Sequence, residues 1–346
     1  MAISRFESKY MEWLFEIMQN GHFQMNERTG VATKRIPHLV MGIDCATEVP
    51  IIKSRKVFWN SAIEEAFWIF RDGSNDIHDL RPHIWDDWAD ENGIVQKTYG
   101  YQIKKFDQVN GMLSKLADDP STRRALLNLW NCEDVPEMAI TPCVYTSVWN
   151  VIDEKLNAMV HSRSCDITVG GIFNLFQYYS LVHMFARHLG VEPGIMTFTA
   201  ADAHIYEDQF DSTNKLFRQY QTLLLTGMWL ESVRQVTEAD TFDGLNTEFR
   251  TWVQDTKEAA MTEMEMQKKE NNGMVDPSVL VQASQFEKVN MVLEENPNIN
   301  PIEIYLTDPK LVIDNEDVPC FFDRKIEECH LVDYKSMPKI DFPVAK

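Results

Sequence analysis

The sequence lacks any long apolar run. No stretch is long enough to span a bilayer, and the first residues, MAISRFESKYMEW, contain no apolar stretch of the kind that a signal peptide needs. We therefore expect a soluble protein in the cytoplasm. With 346 residues, of which 44% are hydrophobic, the chain can bury a large core, in one big domain or in two.

Paired cysteines are also missing. The six cysteines, at positions 45, 132, 143, 165, 320 and 329, include no CxxC pair. Nothing in their spacing indicates a disulfide framework in a chain of this length. We expect reduced thiols, which is the state that a cysteine nucleophile requires.

Positive charge is scarce. Lys and Arg together number 33 against 53 Asp and Glu, which gives a formal net charge of −20. Such a charge repels nucleic acid and anionic membranes, so neither is an expected partner. A local arginine cluster can still bind a small anion, and solubility alone would also explain the acidic balance.

Hydrophobic periodicity locates the main elements. Helical spacing of apolar residues predicts helices at 1–25, Ser61–Phe70 and Phe173–Leu189, and a further helix that follows His204 and ends at about Leu225. Strand patterns at Val144–Val151 and Leu156–Ser164 flank a polar turn and predict a β-hairpin, and Ile195–Ala201 predicts a further strand.

The stretch from about 226 to 315 is rich in Glu, Lys, Gln and Met, as in TKEAAMTEMEMQKKENNGM. Its patterning predicts helices, with a loop at Asn271–Gly273 and a further helix around Pro277–Glu295. We interpret it as a helical insertion at a surface or interface, within a single catalytic domain that spans residues 1–346.

Cys143 has the most informative surroundings. It follows Pro142, and about twenty residues later the chain reads RSCDITVGGIFN, from Arg163 to Asn174. A thiolate adds to an electron-poor carbon, guanidinium and hydroxyl groups hold a phosphate, and a carboxamide pairs with a ring that offers a donor beside an acceptor. The alternative, for any lone cysteine, is a small core residue.

Several further motifs occur in the same order as in one known family. They are EAFWIFRDGSN from Glu65, IWDDWADENG from Ile84, Tyr99 and Gly100, Arg28 to Gly30, Arg123 and Arg124 after a short turn, DAHIY from Asp202, and Pro343 to Ala345. With the Cys143 segment, they resemble the thymidylate synthase and pyrimidine hydroxymethylase family. The resemblance implies an α+β fold, with a large mixed β-sheet at a dimer interface and helices around it.

The resemblance also implies a role for each site residue. Cys143 is the expected nucleophile, with a pKa lowered by guanidinium groups such as Arg163, and Glu65 is the expected general acid/base, assisted by Tyr99. Arg28, Arg163, Ser164 and Asp166 are expected around the substrate. Arg123 and Arg124 are expected to reach the phosphate from the other subunit of a homodimer.

The expected substrate is dUMP. The carboxamide of Asn174 can give a donor to O4 and accept from N3–H of uracil, whereas cytosine-specific family members carry an acidic residue there. His204 and Tyr206 match the pair that binds the sugar 3′-hydroxyl. The co-substrate implied is 5,10-methylenetetrahydrofolate, without any metal, on a surface formed by Ile84, Trp85, Trp88, Asp166, Gly170, Phe173 and Ala345.

Three departures from the synthase pattern concern the product. Val144 replaces the histidine after the nucleophile, Ala201 replaces a glycine, and Lys346 replaces an aliphatic C-terminal residue that closes the folate site. A changed water network favours hydration, so the sequence predicts 5-hydroxymethyl-dUMP, as in phage enzymes of DNA modification. The alternatives are a thymidylate synthase, then a dCMP hydroxymethylase, and, outside the enzymes, an idle nucleotide-binding scaffold.

Overall fold

The computed structural model describes residues 3–233, 241–315, 317–318 and 320–344. Its helices are α1 (Arg5–Asn20), α2 (Trp59–Ala66), α3 (Gly100–Lys105), α4 (Gln108–Asp118), α5 (Ile172–Leu189), α6 (Phe210–Val233), α7 (Phe242–Glu270), α8 (Pro277–Glu295) and α9 (Pro301–Leu306). Its strands are β1 (His22–Asn26), β2 (Val31–Ile36), β3 (Leu39–Asp44), β4 (Ala125–Asn128), β5 (Val144–Ile152), β6 (Lys155–Ser162), β7 (Cys165–Asp166), β8 (Glu192–Ala200), β9 (Ala203–Tyr206), β10 (Lys310–Ile313) and β11 (Cys329–Val332).

The main sheet has five strands in the order β3-β8-β6-β5-β4. All neighbouring pairs are antiparallel except β6 and β8, which are parallel, so the sheet is mixed as predicted. Alternation along the strands buries one face, where α5 packs and the rings of Trp149 and Phe185 lie 5.1 Å apart, edge to face. The α+β class predicted from the sequence is confirmed.

The opposite face of this sheet carries exposed apolar side chains on all five strands: Val40, Leu126, Val148, Ile152, Met159 and Ile195. Cross-strand register places Met159, Val148 and Leu126 side by side. A contiguous apolar face of this kind is unusual for a monomer and marks an interaction surface. We call these six residues the outer face.

A second sheet, in the order β1-β2-β9-β7, completes the scaffold of the site. Its short strand β7 runs parallel to β9 and places Asp166 opposite His204. The turn between β1 and β2 carries Arg28. The pairing of β1 with β2 corrects the predicted helix 1–25, which ends at Asn20 because the residues from His22 onward form sheet hydrogen bonds.

Two single π-helical turns interrupt the regular elements. The predicted helix Ser61–Phe70 is α-helical only to Ala66 and continues as a π turn over Phe67–Arg71. A second π turn, Ile167–Gly171, leads into α5. Such turns are rare and occur mostly at functional sites. Here one follows Glu65 and the other follows Asp166.

Helices α6 to α9 form a block, the helical block, with its own buried cluster of Leu225, Trp229, Leu245, Phe249, Val253, Phe286, Val289, Leu293 and Ile302. The helix predicted around Pro277–Glu295 has the bounds of α8. β10 also falls inside the predicted range of 226–315, so that range is not helical throughout. None of the helices in the described ranges is long and apolar enough to cross a membrane.

The C-terminal segment, residues 333–344, runs between the helical block and the part of the chain that contains Lys53. Met337 is fully buried against Leu223, Val292 and Ile304 of the block. On the other side its backbone N–H donates to the carbonyl of Lys53 at 2.7 Å. The segment is therefore held on both sides at Met337, by the helical block and by Lys53, before the chain continues to Pro343.

Candidate active site

The nucleophile candidate lies where β5 begins. The backbone N–H of Cys143 donates to the hydroxyl of Tyr99 at 3.0 Å, and its carbonyl accepts from the N–H of Arg163 at 2.9 Å. Burial raises the pKa of the Cys143 thiol, and the charges of Arg163 and Arg28 counteract that shift. Arg163 thus acts in the expected direction, but the net pKa shift is upward because desolvation of the thiolate is the larger effect.

Arg163 also holds in place the segment that precedes Cys143. Its guanidinium donates from Nε to the carbonyl of Pro142 at 3.0 Å and from one terminal nitrogen to the carbonyl and hydroxyl of Thr141, at 2.8 and 2.7 Å. It lies 5.7 Å from the ring of Trp130. Since the other terminal nitrogen makes none of these bonds, Arg163 can orient the loop and still bind an anion.

Glu65 lies at the end of α2 and accepts two hydrogen bonds. Trp85 Nε1 donates to Glu65 Oε1 at 2.7 Å, and Gln177 Nε2 donates to Glu65 Oε2. Burial raises the pKa of Glu65 to about 7, although both hydrogen bonds lower it. A carboxyl group with a pKa near neutrality can both give and take a proton at physiological pH.

Asn174 lies in the first turn of α5 and is linked to Glu65 through Gln177. Asn174 Nδ2 donates to Gln177 Oε1 at 3.0 Å. Gln177 was not among the residues predicted from the sequence. Its spacing of three residues from Asn174 puts both amides on one helix face, and this was the signal available.

Tyr99 has a strained backbone, with φ 41° and ψ −103°. Non-glycine residues with positive φ are uncommon and concentrate at functional sites. The conformation directs the Tyr99 hydroxyl to Cys143, while its ring lies 5.1 Å from that of Trp85, edge to face. Tyr99 therefore connects Cys143 to Trp85, the residue that holds Glu65.

Asp166 caps the π turn that leads into α5. Its Oδ1 accepts from the N–H groups of Thr168 and Val169, at 3.1 and 3.2 Å. Its Oδ2 accepts from Gln209 Nε2 at 2.9 Å, and the same nitrogen donates to the carbonyl of Pro343 at 2.8 Å. Gln209, a second residue missed from the sequence, thus joins Asp166 to the C-terminal segment.

His204 and Tyr206 lie together on β9, with perpendicular rings 5.2 Å apart. His204 Nδ1 is 3.3 Å from a carboxylate oxygen of Asp202, which is itself paired with Arg35. The charge of Arg28 acts on Tyr206 as well as on Cys143. Arg28, although exposed, is therefore close to both the thiol and the sugar candidates. Ser164 is half-buried and directly follows Arg163.

Arg123 and Arg124 are not brought to this group within one chain. Both are exposed, immediately before β4. Ala125 pairs with Trp149, which is six residues along β5 from Cys143 and thus roughly 20 Å away at the rise of a strand. By alternation Arg124 falls on the same side as Leu126, the side of the outer face.

Aromatic side chains line one side of the site. Trp85 is buried between Trp68 and Trp88, at centroid distances of 5.8 and 5.6 Å. Ile84 and Phe173 are partly buried against the same core. A Cβ at Gly170 would lie 4.0 Å from Asn174 Oδ1, so the glycine leaves space beside that amide. Ala345 and Lys346 lie outside the described residues.

Two further departures noted in the sequence are visible. Val144 is buried, with 2% of its surface exposed, and contributes no polar atom beside Cys143. Ala201 is exposed in the turn between β8 and β9. In the described part of the chain, no three His, Cys, Asp or Glu side chains are grouped so that they could hold a metal ion.

Comparison with known proteins gives one family. The family model described as thymidylate synthase matches residues 8–266. The chain is 36% identical over 232 residues to the thymidylate synthase of Clostridium beijerinckii, with 66% of this chain and 88% of that protein covered. It is 42% identical over 187 residues to the thymidylate synthase of Bacillus licheniformis, with 51% and 67% covered.

A solved structure agrees with these matches. Thermostable thymidylate synthase A from Bacillus subtilis superposes with a TM-score of 0.66 at 26% sequence identity. The superposition covers 99% of both chains.

Proposed function

The chain belongs to the thymidylate synthase family and has its fold, and from that premise we propose that it transfers the one-carbon unit of 5,10-methylenetetrahydrofolate to carbon 5 of dUMP. The observation that carries this proposal is a continuous run of contacts through the site: Cys143, Tyr99, Trp85, Glu65, Gln177 and Asn174. It brings together a nucleophile (Cys143), a group for proton transfer (Glu65) and an amide that can recognise the pyrimidine ring by hydrogen bonds (Asn174).

Cys143 is the nucleophile in this proposal. Its thiolate adds to carbon 6 of the pyrimidine, and the electron pair of the 5,6 double bond moves onto carbon 5 and O4 as an enolate. Carbon 5 can then form the new carbon–carbon bond. Arg163 and Arg28 favour the thiolate electrostatically, and a bound nucleotide has to compete for the same charges. At the end of the reaction the carbon–sulfur bond breaks and Cys143 leaves as a thiolate.

Glu65 and Tyr99 move the protons. With its pKa at about 7, Glu65 can protonate O4 through water as the enolate forms and take the proton back later. The Tyr99 hydroxyl, held at the Cys143 N–H, is placed to assist loss of the proton from carbon 5.

The phosphate is bound by Arg28, Arg163 and Ser164, joined by Arg123 and Arg124 of a second subunit. Two observations support a homodimer. The outer face is apolar and exposed, and Arg124 lies beside it, far from its own Cys143. In a symmetric dimer through this face, each site receives Arg123 and Arg124 from the partner subunit, because the same two arginines of its own chain lie too far away. We also propose that the chain is one catalytic domain into which the helical block is inserted.

Asn174 reads the uracil ring, and His204 with Tyr206 binds the sugar 3′-hydroxyl. The folate packs on Ile84, Trp85, Trp88, Gly170 and Phe173, together with Ala345, and Asp166 accepts a hydrogen bond from its pterin ring. The folate supplies the one-carbon unit and, in synthase chemistry, also the hydride. The residues present fit it, since the two tryptophans offer an aromatic surface and Gln209 anchors the Asp166 carboxylate.

The product that the relatives favour is dTMP, because the proteins matched are thymidylate synthases. This differs from the hydroxymethyl product that we predicted from the sequence. A second candidate, 5-hydroxymethyl-dUMP, is favoured by the buried Val144, which leaves an apolar side chain beside the nucleophile. A dCMP hydroxymethylase is disfavoured by the amide at Asn174.

One experiment separates these products. The purified protein is incubated with dUMP and 5,10-methylenetetrahydrofolate, the nucleotide is identified by mass spectrometry, and dihydrofolate is followed by absorbance. Stoichiometric dTMP and dihydrofolate support the synthase, whereas 5-hydroxymethyl-dUMP with tetrahydrofolate supports the second candidate.

A covalent test addresses the alternative of an idle scaffold. The wild-type protein should form a covalent adduct with 5-fluoro-dUMP and the folate, and Cys143→Ala should form none while it still binds dUMP. Turnover by Cys143→Ala, or no adduct with the wild type, would contradict the proposed function.

A further inference from the structure

Gln177 is a buried glutamine that lies between Glu65 and Asn174 and bonds both of them. Only 3% of its surface is exposed. Its Nε2 donates to the Glu65 carboxylate, and its Oε1 accepts from Asn174 Nδ2 at 3.0 Å. The side chain therefore has no freedom to turn without losing both partners.

The two hydrogen bonds form a relay of three side chains, Glu65, Gln177 and Asn174. The chemistry of the Glu65 carboxylate determines which way the two amides are oriented. In the structure the NH₂ group of Gln177 faces Glu65, which is the orientation that an ionised carboxylate requires because it only accepts hydrogen bonds. The carbonyl of Gln177 then faces Asn174, and the NH₂ group of Asn174 must face Gln177. One amide hydrogen of Asn174 is thereby committed, and its carbonyl oxygen points away from the relay.

We propose that Gln177 is a specificity-determining residue, which fixes the amide of Asn174 in the one orientation that suits uracil. This inference rests on the proposed function, because it assumes that the ring lies against Asn174. In that orientation the free Asn174 N–H donates to O4, and the carbonyl accepts from N3–H. Cytosine offers an acceptor at N3 and a donor at the 4-amino group, which is the opposite pattern.

To accept cytosine, the amide of Asn174 would have to turn over. Its oxygen would then face the oxygen of Gln177, and both would lack a donor. Turning Gln177 as well would place its oxygen against the Glu65 carboxylate. Unpaired polar atoms in a closed site are costly, so the relay carries the preference for uracil from Glu65 to the ring. Glu65 is 112 positions from Gln177 along the chain.

Two substitutions separate the ends of the relay. Gln177→Met keeps the length of the side chain but removes both hydrogen bonds, so Asn174 can take either orientation. Gln177→Glu keeps an acceptor for Asn174 and loses the donor to Glu65, so one proton is shared between the two carboxyl groups. Gln219→Met on α6 is the matched control, since Gln219 is also a buried glutamine.

The measurements are the dissociation constants of dUMP and dCMP by calorimetry, without folate, and the ratio of kcat/KM for the two nucleotides. For Gln177→Met we expect the preference for dUMP to fall by about tenfold to a hundredfold, the range for a lost pattern of buried hydrogen bonds. Gln177→Glu should keep the preference for dUMP while its turnover falls. Gln219→Met should keep the wild-type preference for dUMP.

Each outcome bears on a different claim. If the wild type prefers dUMP and Gln177→Met keeps the full preference, the relay is wrong while the proposed function stands. Should Gln177→Met fail to fold by circular dichroism, Gln177→Glu decides, and a loss of dUMP preference there overturns the relay. A wild-type preference for dCMP contradicts the relay and the assignment of dUMP together, and absence of nucleotide binding contradicts the proposed function.

Discussion

The hydroxyl of Tyr99 accepts a hydrogen bond of 3.0 Å from the backbone N–H of Cys143. Tyr99 reaches this position through a backbone conformation with positive φ, at the start of α3. Gly100, which follows it, lies against the carbonyl of Ser74, where any Cβ would be 1.9 Å away. The surrounding structure therefore imposes the conformation, and the contact orients both the Tyr99 hydroxyl and the chain at Cys143.

Tyr99→Phe keeps the ring against Trp85 and removes only the hydroxyl. We expect turnover to fall by about 10²-fold to 10⁴-fold, the range for a lost acid–base group. Binding of dUMP and the adduct with 5-fluoro-dUMP should persist, because that adduct has no proton to lose from carbon 5. Release of tritium from [5-³H]dUMP is the measurement, and wild-type release in the variant would exclude the assigned role.

Glu65 should make the stability of the protein depend on pH. Its folded pKa of about 7 lies above its usual value of 4.5, because burial disfavours the carboxylate. The native state then holds a proton that the unfolded chain has released. The stabilising contribution is fully present below pH 4.5 and is lost as the pH rises through 7, by up to about 3 kcal/mol.

Glu65→Gln should remove this dependence. Urea unfolding of the wild type and the variant at pH 5 and pH 8 gives the comparison, since other titrating groups cancel between the two proteins. The variant should gain stability relative to the wild type at pH 8. An equal difference at both pH values would show that Glu65 has an ordinary pKa.

Arg124 should serve the site of the partner subunit. A mixed dimer of a Cys143→Ala chain and an Arg124→Ala chain contains one intact site. With random pairing about half of the dimers are mixed, so the mixture should show about a quarter of the wild-type turnover at the same protein concentration. The readout is turnover after the two inactive proteins are refolded together. Each protein refolded alone is the control, and a mixture no more active than its components would refute the shared site.

Met337 should position the C-terminal segment. Met337→Ala opens a cavity among Leu223, Val292 and Ile304 and should cost about 2–5 kcal/mol of stability. Because the segment leads to Pro343 and Gln209, the KM for the folate should rise while the dissociation constant of dUMP stays unchanged.

Two variants control for this effect. Met337→Leu conserves volume and should keep the folate KM. Met291→Ala removes an exposed methionine of the helical block and should change neither stability nor KM. An unchanged folate KM in a folded Met337→Ala protein would mean that the block supports stability alone.

The sequence by itself determined the features that are local along the chain. Alternation predicted the hairpin of β5 and β6 and helical spacing predicted α5 and α8, because side-chain periodicity depends only on neighbouring residues. The sequence also identified Cys143, Glu65 and Asn174 as candidates, since residue types and sequence motifs can be recognised without knowledge of tertiary contacts. The helix predicted over 1–25 was too long because the pairing of β1 with β2 competes with it.

The tertiary structure alone decided what depends on distant residues. The raised pKa of Glu65 comes from its burial in the folded chain. The link from Glu65 to Asn174 runs through Gln177, which is 112 positions from Glu65. Gln209 joins Asp166 to Pro343, which lies 134 positions beyond Gln209 along the chain. Desolvation and hydrogen bonding act through space, so the order of residues in the chain carries no direct record of them.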